Sequence, residues 1–184
     1  MKPISAVTSV RFAIRVLRTW RPRVRIAAAN CCGDREGSSV QYRKATLADI
    51  TVLAFLNQQL IEDEGSRTRM SLSDLEARMS QWLQDEYKAI LFTQHDDIVA
   101  YALYRHDREA IYLRQFVVER RYRRRGIGRQ AMHILLTTVW PPDWRVTLEV
   151  LAHNYRGQAF WRALGFRDYA ITLERLPHQL AESH

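Results

Sequence analysis

The chain has 184 residues, of which 47% are hydrophobic and 26% charged, a composition typical of one globular domain and not of a disordered or fibrous protein. No uncharged apolar run approaches the roughly 18 residues that a membrane-spanning helix requires. The two cysteines, Cys31 and Cys32, are adjacent, which excludes a disulfide framework and a cysteine-rich metal site. This cysteine usage fits a reducing compartment, so we expect a cytoplasmic protein.

The net charge of +8 is concentrated at the N-terminal end. Residues 1–33 carry seven basic side chains and no acidic one, whereas the rest of the chain holds 21 basic and 20 acidic residues. Residues 1–39 are therefore predicted to be a basic, poorly ordered extension and linker, with a presequence, a membrane-surface helix or a partner-binding arm as alternatives. Residues 40–184 are predicted to form a single domain.

Beyond this extension, strand and helix patterns alternate. The predicted elements, in chain order, are a strand at 40–45, helices at 46–62 and 71–83, a hairpin of strands 89–93 and 98–104, a strand at 111–118, a helix after Gly126, a strand at 146–151, a helix at 154–164 and a strand at 166–176. Three consecutive strands followed by a strand–helix–strand crossover predict a mixed α/β sheet. Strands 111–118 and 146–151 are its expected parallel neighbours.

Two glycines, Gly126 and Gly128, stand where a loop turns into a helix. Such a bend lets backbone N–H groups point outward, and the start of the helix adds partial positive charge, so the pair predicts a phosphate or pyrophosphate site. Neighbouring arginines would add charge-assisted hydrogen bonds. These are Arg123, Arg124, Arg125 and Arg129.

The same glycines also match the dinucleotide fingerprint G-x-G-x-x-A, ending at Ala131. In that fold a strand runs directly into the first glycine and the motif opens its domain. Here Val118, the end of the predicted strand, lies eight residues before Gly126, and five predicted elements lie before that strand. The dinucleotide interpretation is therefore the weaker one, and no P-loop motif occurs.

Two stretches together resemble the GCN5-related N-acetyltransferases (GNAT). The segment from Val118 to Gly128, with Arg123 at the first place of R-x-x-G-x-G, is similar to that family's acetyl-CoA-binding signature. The segment from Asn154 to Phe166 resembles its N-x-x-A-x-x-x-Y-x-x-x-G-F helix, at the expected distance downstream. The opening strand and helix are also similar, and the resemblance spans residues 40–176.

The resemblance implies a GNAT-like α/β fold, in which a mixed, mostly antiparallel sheet with flanking helices contains a parallel strand pair that splays apart. It implies acetyl-CoA as co-substrate and no metal, in agreement with histidines that show no metal-ligand spacing. The pantetheine arm would pair with the separated strand backbone, and the pyrophosphate would bind the glycine turn. The residues implied for cofactor binding are Phe116, Val117, Val118, Arg123, Arg124, Arg125, Gly126, Ile127, Gly128, Arg129, Asn154 and Trp161.

Direct transfer of an acetyl group from acetyl-CoA to an amine needs a base that takes the amine proton and a hydrogen-bond donor that stabilises the oxyanion. It also needs a way for the CoA thiolate to leave. By the resemblance, Glu149 is placed like the base in ribosomal-protein-type members, and the backbone amide at Val118 like the donor; a solvent-facing Glu149 is the alternative. Trp161 stands where the family commonly has a tyrosine acid, and an indole N–H cannot supply a proton. Substitute acids would be Tyr122, Tyr155 and Tyr169, unless the thiolate leaves unaided or the protein is inactive.

The acceptor is expected to be a small-molecule or peptide amine. Arg114 and Gln115 replace the acids of polyamine acetyltransferases, which argues against a polyamine and for an acceptor with a carboxylate; an arginine that faces solvent is the alternative. Glu62 and Glu64, at the end of the first helix, lie where the family lines its acceptor pocket and would attract a cationic amine; acids that face solvent at a helix end are the alternative. A homodimer is also expected from the family.

Three functions remain open from the sequence. The first is acetyl-CoA-dependent acetylation of a primary amine in a ternary complex. The second is nucleic-acid binding through the arginine-rich tail and the loop at 120–125, which the near-neutral charge of the rest of the chain disfavours. The third is a catalytically inactive, CoA-binding regulatory protein, which the tryptophan at position 161 suggests.

Overall fold

One five-stranded sheet and four α-helices make up the described residues, which are 39–175 of this computed structural model. The extension predicted at 1–39 lies almost wholly outside them, as do both cysteines. The elements, in chain order, are β1 (Gln41–Lys44), α1 (Ile50–Asp63), α2 (Leu72–Gln84), β2 (Tyr87–Gln94), β3 (Asp97–Asp107), β4 (Ala110–Val118), α3 (Ile127–Ile134), β5 (Arg145–Leu148) and α4 (Tyr155–Ala163). None of these helices is long and apolar enough to cross a membrane.

The sheet has the strand order β1-β2-β3-β4-β5. The first four strands are antiparallel to their neighbours, and β5 pairs parallel to β4 after the crossover through α3. The β2–β3 turn consists of His95 and Asp96, whose φ angles of 49° and 66° suit a tight two-residue hairpin. The predicted mixed, mostly antiparallel sheet with one parallel pair is confirmed.

Capping boxes begin the helical segments before β2. At the first, Thr46 N–H donates to Asp49 Oδ2 at 2.8 Å, although a short 3₁₀ turn precedes α1. At the second, Ser71 N–H donates to Asp74 Oδ2 at 3.0 Å while Ser71 Oγ accepts from Asp74 N–H. These bonds satisfy backbone donors that a helix start leaves without partners, which is why the sequence pattern located both starts.

Apolar side chains of α1 and α2 pack on one face of the central strands. The buried cluster consists of Leu53, Leu56, Met79, Tyr87, Ala89, Leu91, Tyr101, Leu103 and Val117. The alternate residues of the same strands face the other side, where Trp140, after α3, packs edge-on against Tyr104 with ring centroids 5.3 Å apart. Because both faces are covered, β2 and β3 are almost continuously apolar in sequence.

The described chain divides into two compact units, one ending at Glu149 and one beginning at Val150. In the second unit the prediction of a strand at 166–176 is wrong, because residues 166–175 contain no strand. Tyr169, Ile171 and Leu173 alternate as in a strand, but each is more than 80% exposed. Alternation predicts a strand only where a neighbouring strand supplies hydrogen bonds and a surface to cover, and no described strand pairs with this segment.

Candidate functional site

The parallel strands β4 and β5 separate partway along β4. Their last paired residues are Leu113 and Leu148, where β5 ends, while β4 continues to Val118. Residues 114–118 therefore have no partner in β5 within the described register. This gap is the separation expected from the resemblance; continuous pairing would have contradicted it.

A β-bulge marks the point of separation. Across β3, Leu103 faces Gln115 whereas Tyr104 faces Leu113, so Arg114 is one extra residue on β4. A bulge bends its own strand and interrupts the regular ladder. The bend therefore coincides with the residue at which β4 leaves β5.

The backbone of β4 presents hydrogen-bonding groups to the gap. Glu119 N–H donates to the Val99 carbonyl at 2.9 Å, and Val118 is opposite Ala100. Opposite residues of an antiparallel pair alternate between hydrogen-bonded and non-hydrogen-bonded positions, so the N–H of Val118 points away from β3. It is therefore directed to the side on which β5 has ended.

A left-handed turn begins α3. Gly126 is the N-cap residue with φ +79°, and Arg124 also has a positive φ, +62°. The first helical bond runs from Gln130 N–H to the Gly126 carbonyl, which leaves the preceding N–H groups without intrahelical partners. Both glycines thus stand at a helix start, as predicted, and the free N–H groups with the helix dipole suit a phosphate group.

Two arginines of the preceding loop are held by acids of α1. Arg123 donates from Nε to the Val118 carbonyl at 2.8 Å and pairs through Nη2 with Asp63 at 2.6 Å. Arg120 pairs with Glu62 and Asp63, each at 2.8 Å. Arg123, expected to contact phosphate, is therefore placed where it shapes the loop.

The remaining cations of this loop are exposed. Arg124 and Arg125 form no ion pair with a carboxylate of the described residues, and Arg125 lies 5.7 Å from the Tyr122 ring. Arg129, in the first turn of α3, is also exposed. These three arginines flank the helix start in sequence, and none of them is ion-paired with a carboxylate of the described residues.

Asp63 connects the end of α1 to this loop through its ion pairs with Arg120 and Arg123. Burial alone would raise the pKa of Asp63, but hydrogen bonds and charges from Arg120 and Arg123 outweigh it and lower the pKa below its ordinary value. The carboxylate form is therefore the one that stabilises the fold. Its contribution is present above the unfolded-state pKa and is lost as pH falls through the lower folded-state pKa.

Asp63→Asn is expected to lower the free energy of unfolding at neutral pH by about 1 kcal/mol, because charged hydrogen bonds at a partly exposed site contribute on that order. The deficit should stay constant on acidification and shrink only below about pH 4. Urea unfolding of both proteins at several pH values measures it. Asp143→Asn, at an exposed carboxylate, is the control and should change little. An undiminished deficit at the lowest pH would contradict the assignment.

Glu149 follows β5 directly and is exposed at the gap. Burial raises the pKa of Tyr112 on β4, and the negative charge of Glu149 raises it further, so the two side chains are near each other. The Tyr122 hydroxyl is already hydrogen-bonded, since it donates to Asp97 Oδ2 at 2.5 Å. This hydrogen bond is the main cause of the raised pKa of Tyr122. Glu149 is thus the carboxylate at the open end of the strand pair.

A buried polar row lies beside the bulge. Tyr101 Oη donates to Gln115 Oε1 at 3.0 Å, and Gln115 Nε2 donates to Asn57 Oδ1 at 2.8 Å. Asn57 is fully buried, and its Nδ2 has no partner. Sequence reasoning named only Gln115 of these three. An asparagine within the apolar stripe of α1, next to Leu56, is the signal that could have identified the row.

A surface groove of about 650 Å³ adjoins the bulge. Its lining residues are Gln81, Trp82, Asp85, Glu86, Tyr87 and Arg114. Arg114 is exposed, and its guanidinium lies over the Trp82 ring, 4.5 Å from the centroid. The structure thus places predicted Arg114 in the groove and predicted Gln115 in the buried row.

The acids predicted for the acceptor differ in their surroundings. Glu62 is paired with Arg120, as described above. Glu64 is close enough to the polar row for its charge to act on Tyr101. Burial is the main cause of the raised pKa of Tyr101; the positive charge of Arg78 lowers this pKa, and the negative charge of Glu64 raises it. Of the two acids, Glu64 is the one whose charge acts on this row.

Two predicted residues belong to the second unit. Asn154 caps α4, where its Oδ1 accepts from Gly157 N–H at 2.9 Å. Trp161 packs edge-on against Phe160 and Phe166, with ring centroids 4.9 and 5.3 Å apart. Of the tyrosines proposed as substitute acids, Tyr155 and Tyr169 are 75% and 82% exposed. The aromatic contacts of Trp161 agree with a packing role within this unit.

The described residues contain no group of three or more histidine, cysteine, aspartate or glutamate side chains that could hold a metal ion. Residues 55–166 match the family model described as Acetyltransferase (GNAT) family, which covers more than half of the chain. The chain belongs to this family. This membership indicates acetyltransferase activity.

Solved structures with the same fold accord with this membership. A possible acetyltransferase from Clostridium difficile 630 is 22% identical over 76% of this chain and 99% of that chain, with a TM-score of 0.61. The aminoglycoside N-acetyltransferase AAC(6')-Iy in complex with CoA is 15% identical over 77% and 97%, also with a TM-score of 0.61.

A third structure is the ribosomal-protein-alanine N-acetyltransferase from Brucella melitensis biovar Abortus 2308. It is 15% identical over 75% of this chain and 100% of that chain, with a TM-score of 0.57. No curated protein sequence matches this chain significantly. At these identities the likeness establishes the fold, and the acceptor has to be argued from the residues of this chain.

Proposed function

We propose that this protein is an acetyl-CoA-dependent N-acetyltransferase that acetylates a primary amine by direct attack in a ternary complex. The supporting observation is the gap between β4 and β5 beyond Leu113 and Leu148, with the Val118 N–H directed into it. Family membership and a neighbour in complex with CoA add to this support. Cytoplasmic location and a homodimer remain predictions.

The residues present suit a long thiol-bearing nucleotide. The backbone of Phe116, Val117 and Val118 would pair with an extended amide-containing arm, as an added strand does. The N–H groups from Arg124 to Arg129 would bind a pyrophosphate. Those residues include Arg125, Gly126, Ile127 and Gly128, while the Arg123 side chain holds the loop through its bonds to Asp63 and the Val118 carbonyl.

The family pattern also assigns Asn154 and Trp161 to the pantetheine arm of the cofactor, and both remain predictions. Asn154 already accepts a hydrogen bond at Oδ1 from Gly157 N–H. Its amide nitrogen would be the group that donates to the cofactor.

Acetyl-CoA supplies an acetyl group activated as a thioester. Glu149 would take the proton from the attacking amine, directly or through water, while a C–N bond forms and the C–S bond breaks. The Val118 N–H would donate to the carbonyl oxygen as it gains negative charge. The acceptor would contact Arg114 and Gln115 on β4 and the acids Glu62 and Glu64 at the end of α1.

The thiolate must leave without help from Trp161, since an indole N–H does not release its proton. The Tyr122 hydroxyl already donates a hydrogen bond to Asp97, which leaves Tyr155 and Tyr169 as the tyrosines proposed for this role. Departure without a general acid is the other route that the sequence leaves open. Single phenylalanine substitutions distinguish the two, because only the loss of a true acid lowers kcat.

The loop arginines argue against nucleic-acid binding. Of the five arginines in residues 120–125, Arg120, Arg121 and Arg123 are ion-paired within the described structure. The two loop arginines without an ion pair to a described carboxylate, Arg124 and Arg125, directly precede the start of α3, which suits one phosphate-bearing ligand rather than an extended polyanion. A small ligand with a pyrophosphate fits this distribution.

The proposed function is tested by melting the protein with coenzyme A or acetyl-CoA at millimolar concentration and by measuring free thiol with an amine panel. We expect a rise in Tm and acceptor-dependent thiol release. NAD is the matched control for the dinucleotide interpretation and should leave Tm unchanged. Absence of a shift with either CoA species contradicts the proposal. A shift without thiol release from any amine favours an inactive, CoA-binding protein.

A further inference from the structure

Two arginines meet at one indole ring beside the groove. The guanidinium carbons of Arg78, on α2, and Arg114, on β4, lie 4.7 and 4.5 Å from the centroid of the Trp82 ring. Neither guanidinium forms an ion pair with a carboxylate of the described residues. The positive charge of Arg114 acts unfavourably on that of Arg78, and a bound anion would relieve this repulsion.

Arg78 is the more desolvated of the two. Its Nε is buried and has no hydrogen-bond partner in the described structure. Burial lowers the pKa of Arg78, and the positive charge of Arg114 lowers it further. Because a guanidinium stays charged in proteins, the site retains two cations and an unused donor.

The buried polar row next to Arg114 also ends in a donor. Its hydrogen bonds run in one direction, from Tyr101 to Gln115 to Asn57, and end at the unpartnered Asn57 Nδ2. The charge of Arg78 acts on Tyr101, so the row begins near the arginine pair. A carboxylate accepts hydrogen bonds without donating any, which matches a region that has donors and cations in excess.

The arginine pair is close to the proposed reaction centre. The pKa of Tyr112 is raised by burial and by Glu149 and lowered by Arg114, so Tyr112 lies within reach of both charges. Along β4, the four residues from Arg114 to Val118 span about 13 Å. A ligand bound at Arg114 would therefore extend along β4 toward the gap.

We infer that the amine acceptor carries a carboxylate that binds Arg114 in the groove lined by Trp82 and Tyr87, where Arg78, on the same indole ring, adds its positive charge. This inference rests on the proposed acetyl transfer. The span along β4 favours an acceptor whose amine and carboxylate are at opposite ends, such as an ω-amino acid or a short peptide. Asp85 and Glu86, which also line the groove, disfavour a dianion such as a phosphate monoester.

The test compares acceptors that differ only in charge. 4-Aminobutyrate, 6-aminohexanoate and 8-aminooctanoate are each assayed beside their primary amides for free-thiol release with acetyl-CoA. We expect kcat/KM to favour the carboxylates by about tenfold to a hundredfold, the range of a charge-assisted hydrogen bond, and to rise with chain length. Equal reaction of acids and amides would overturn the inference.

Arg114→Gln should remove this preference by raising KM for the carboxylates more than for the amides, and Arg78→Gln should reduce the preference in the same way. Arg108→Gln is the control, because Arg108 is exposed in the β3–β4 turn at the other end of β4. It should keep the preference. If either groove variant lowered kcat/KM equally for acids and amides, the arginine would have no role in reading the carboxylate.

Calorimetric titration with 6-aminohexanoate and its amide separates this inference from the proposed function. With CoA-dependent stabilisation intact and no preferential binding of the acid, the inference fails and the acetyltransferase stands. With preferential binding that Arg114→Gln abolishes, but no CoA-dependent stabilisation, the carboxylate site stands and the acetyltransferase fails.

Discussion

Glu149→Gln is expected to reduce kcat for acetyl transfer by about a hundredfold to ten-thousandfold, the contribution of a positioned general base. Glutamine keeps the size and the hydrogen-bonding reach of the side chain but cannot accept the proton of the attacking amine. Glu149 is exposed directly after β5, so the substitution should leave the melting temperature almost unchanged. Steady-state thiol release, measured with one amine over a range of pH, gives the effect.

The pH dependence makes this test specific. An amine with an ordinary pKa near 10 is increasingly unprotonated at alkaline pH, so the deficit of the variant should narrow as pH rises. Glu109→Gln is the matched control, because Glu109 is an exposed glutamate in the turn at the opposite end of β4. It should retain full activity. An unchanged rate in Glu149→Gln would remove Glu149 from the base role.

Gly126→Glu is expected to abolish the rise in Tm that CoA causes. The new carboxylate would lie at the start of α3, where the proposed pyrophosphate binds, and would repel it. The φ of +79° adds strain of about 1–2 kcal/mol for any residue with a Cβ atom. The apo protein should therefore melt at a somewhat lower temperature and no longer respond to CoA.

The strain and the charge can be separated with two further variants. Gly126→Ala has the same backbone strain without the charge. The nearest atom to its Cβ would be Gln130 Nε2 at 3.9 Å, an ordinary contact distance. CoA should therefore still raise the Tm of this variant, although by less than in the unmodified protein. Gly165→Glu places the same side chain at a glycine with φ +92° in open space. It should lower Tm but keep the CoA response. A full response in Gly126→Glu would contradict the phosphate site.

Local sequence chemistry was sufficient for most elements. Capping boxes at Thr46 and Ser71 located two helical starts, and alternating or continuous apolar runs identified all five strands of the sheet. The paired glycines identified the start of α3, because glycine adopts the positive φ of this turn without the steric cost that other residues have. The prediction of a strand at 166–176 was wrong, because an alternating apolar pattern does not show whether a partner strand is available.

The roles of individual side chains required the fold. Arg123 looked like a phosphate ligand by its place in the motif, but Asp63, sixty residues earlier, and the Val118 carbonyl hold its guanidinium. Gln115 was identified as a candidate, whereas its partners Tyr101 and Asn57 lie on other elements and carry no shared spacing.

By itself the sequence determined the mixed sheet, the helix starts, the glycine turn and the family, because each depends on residues that are neighbours along the chain. Tertiary structure alone decided where the strands part, which arginines are neutralised and which remain exposed, and that Arg78 and Arg114 share one indole ring. Those features depend on distances between residues far apart in sequence, and ion pairing, burial and repulsion are all functions of such distances.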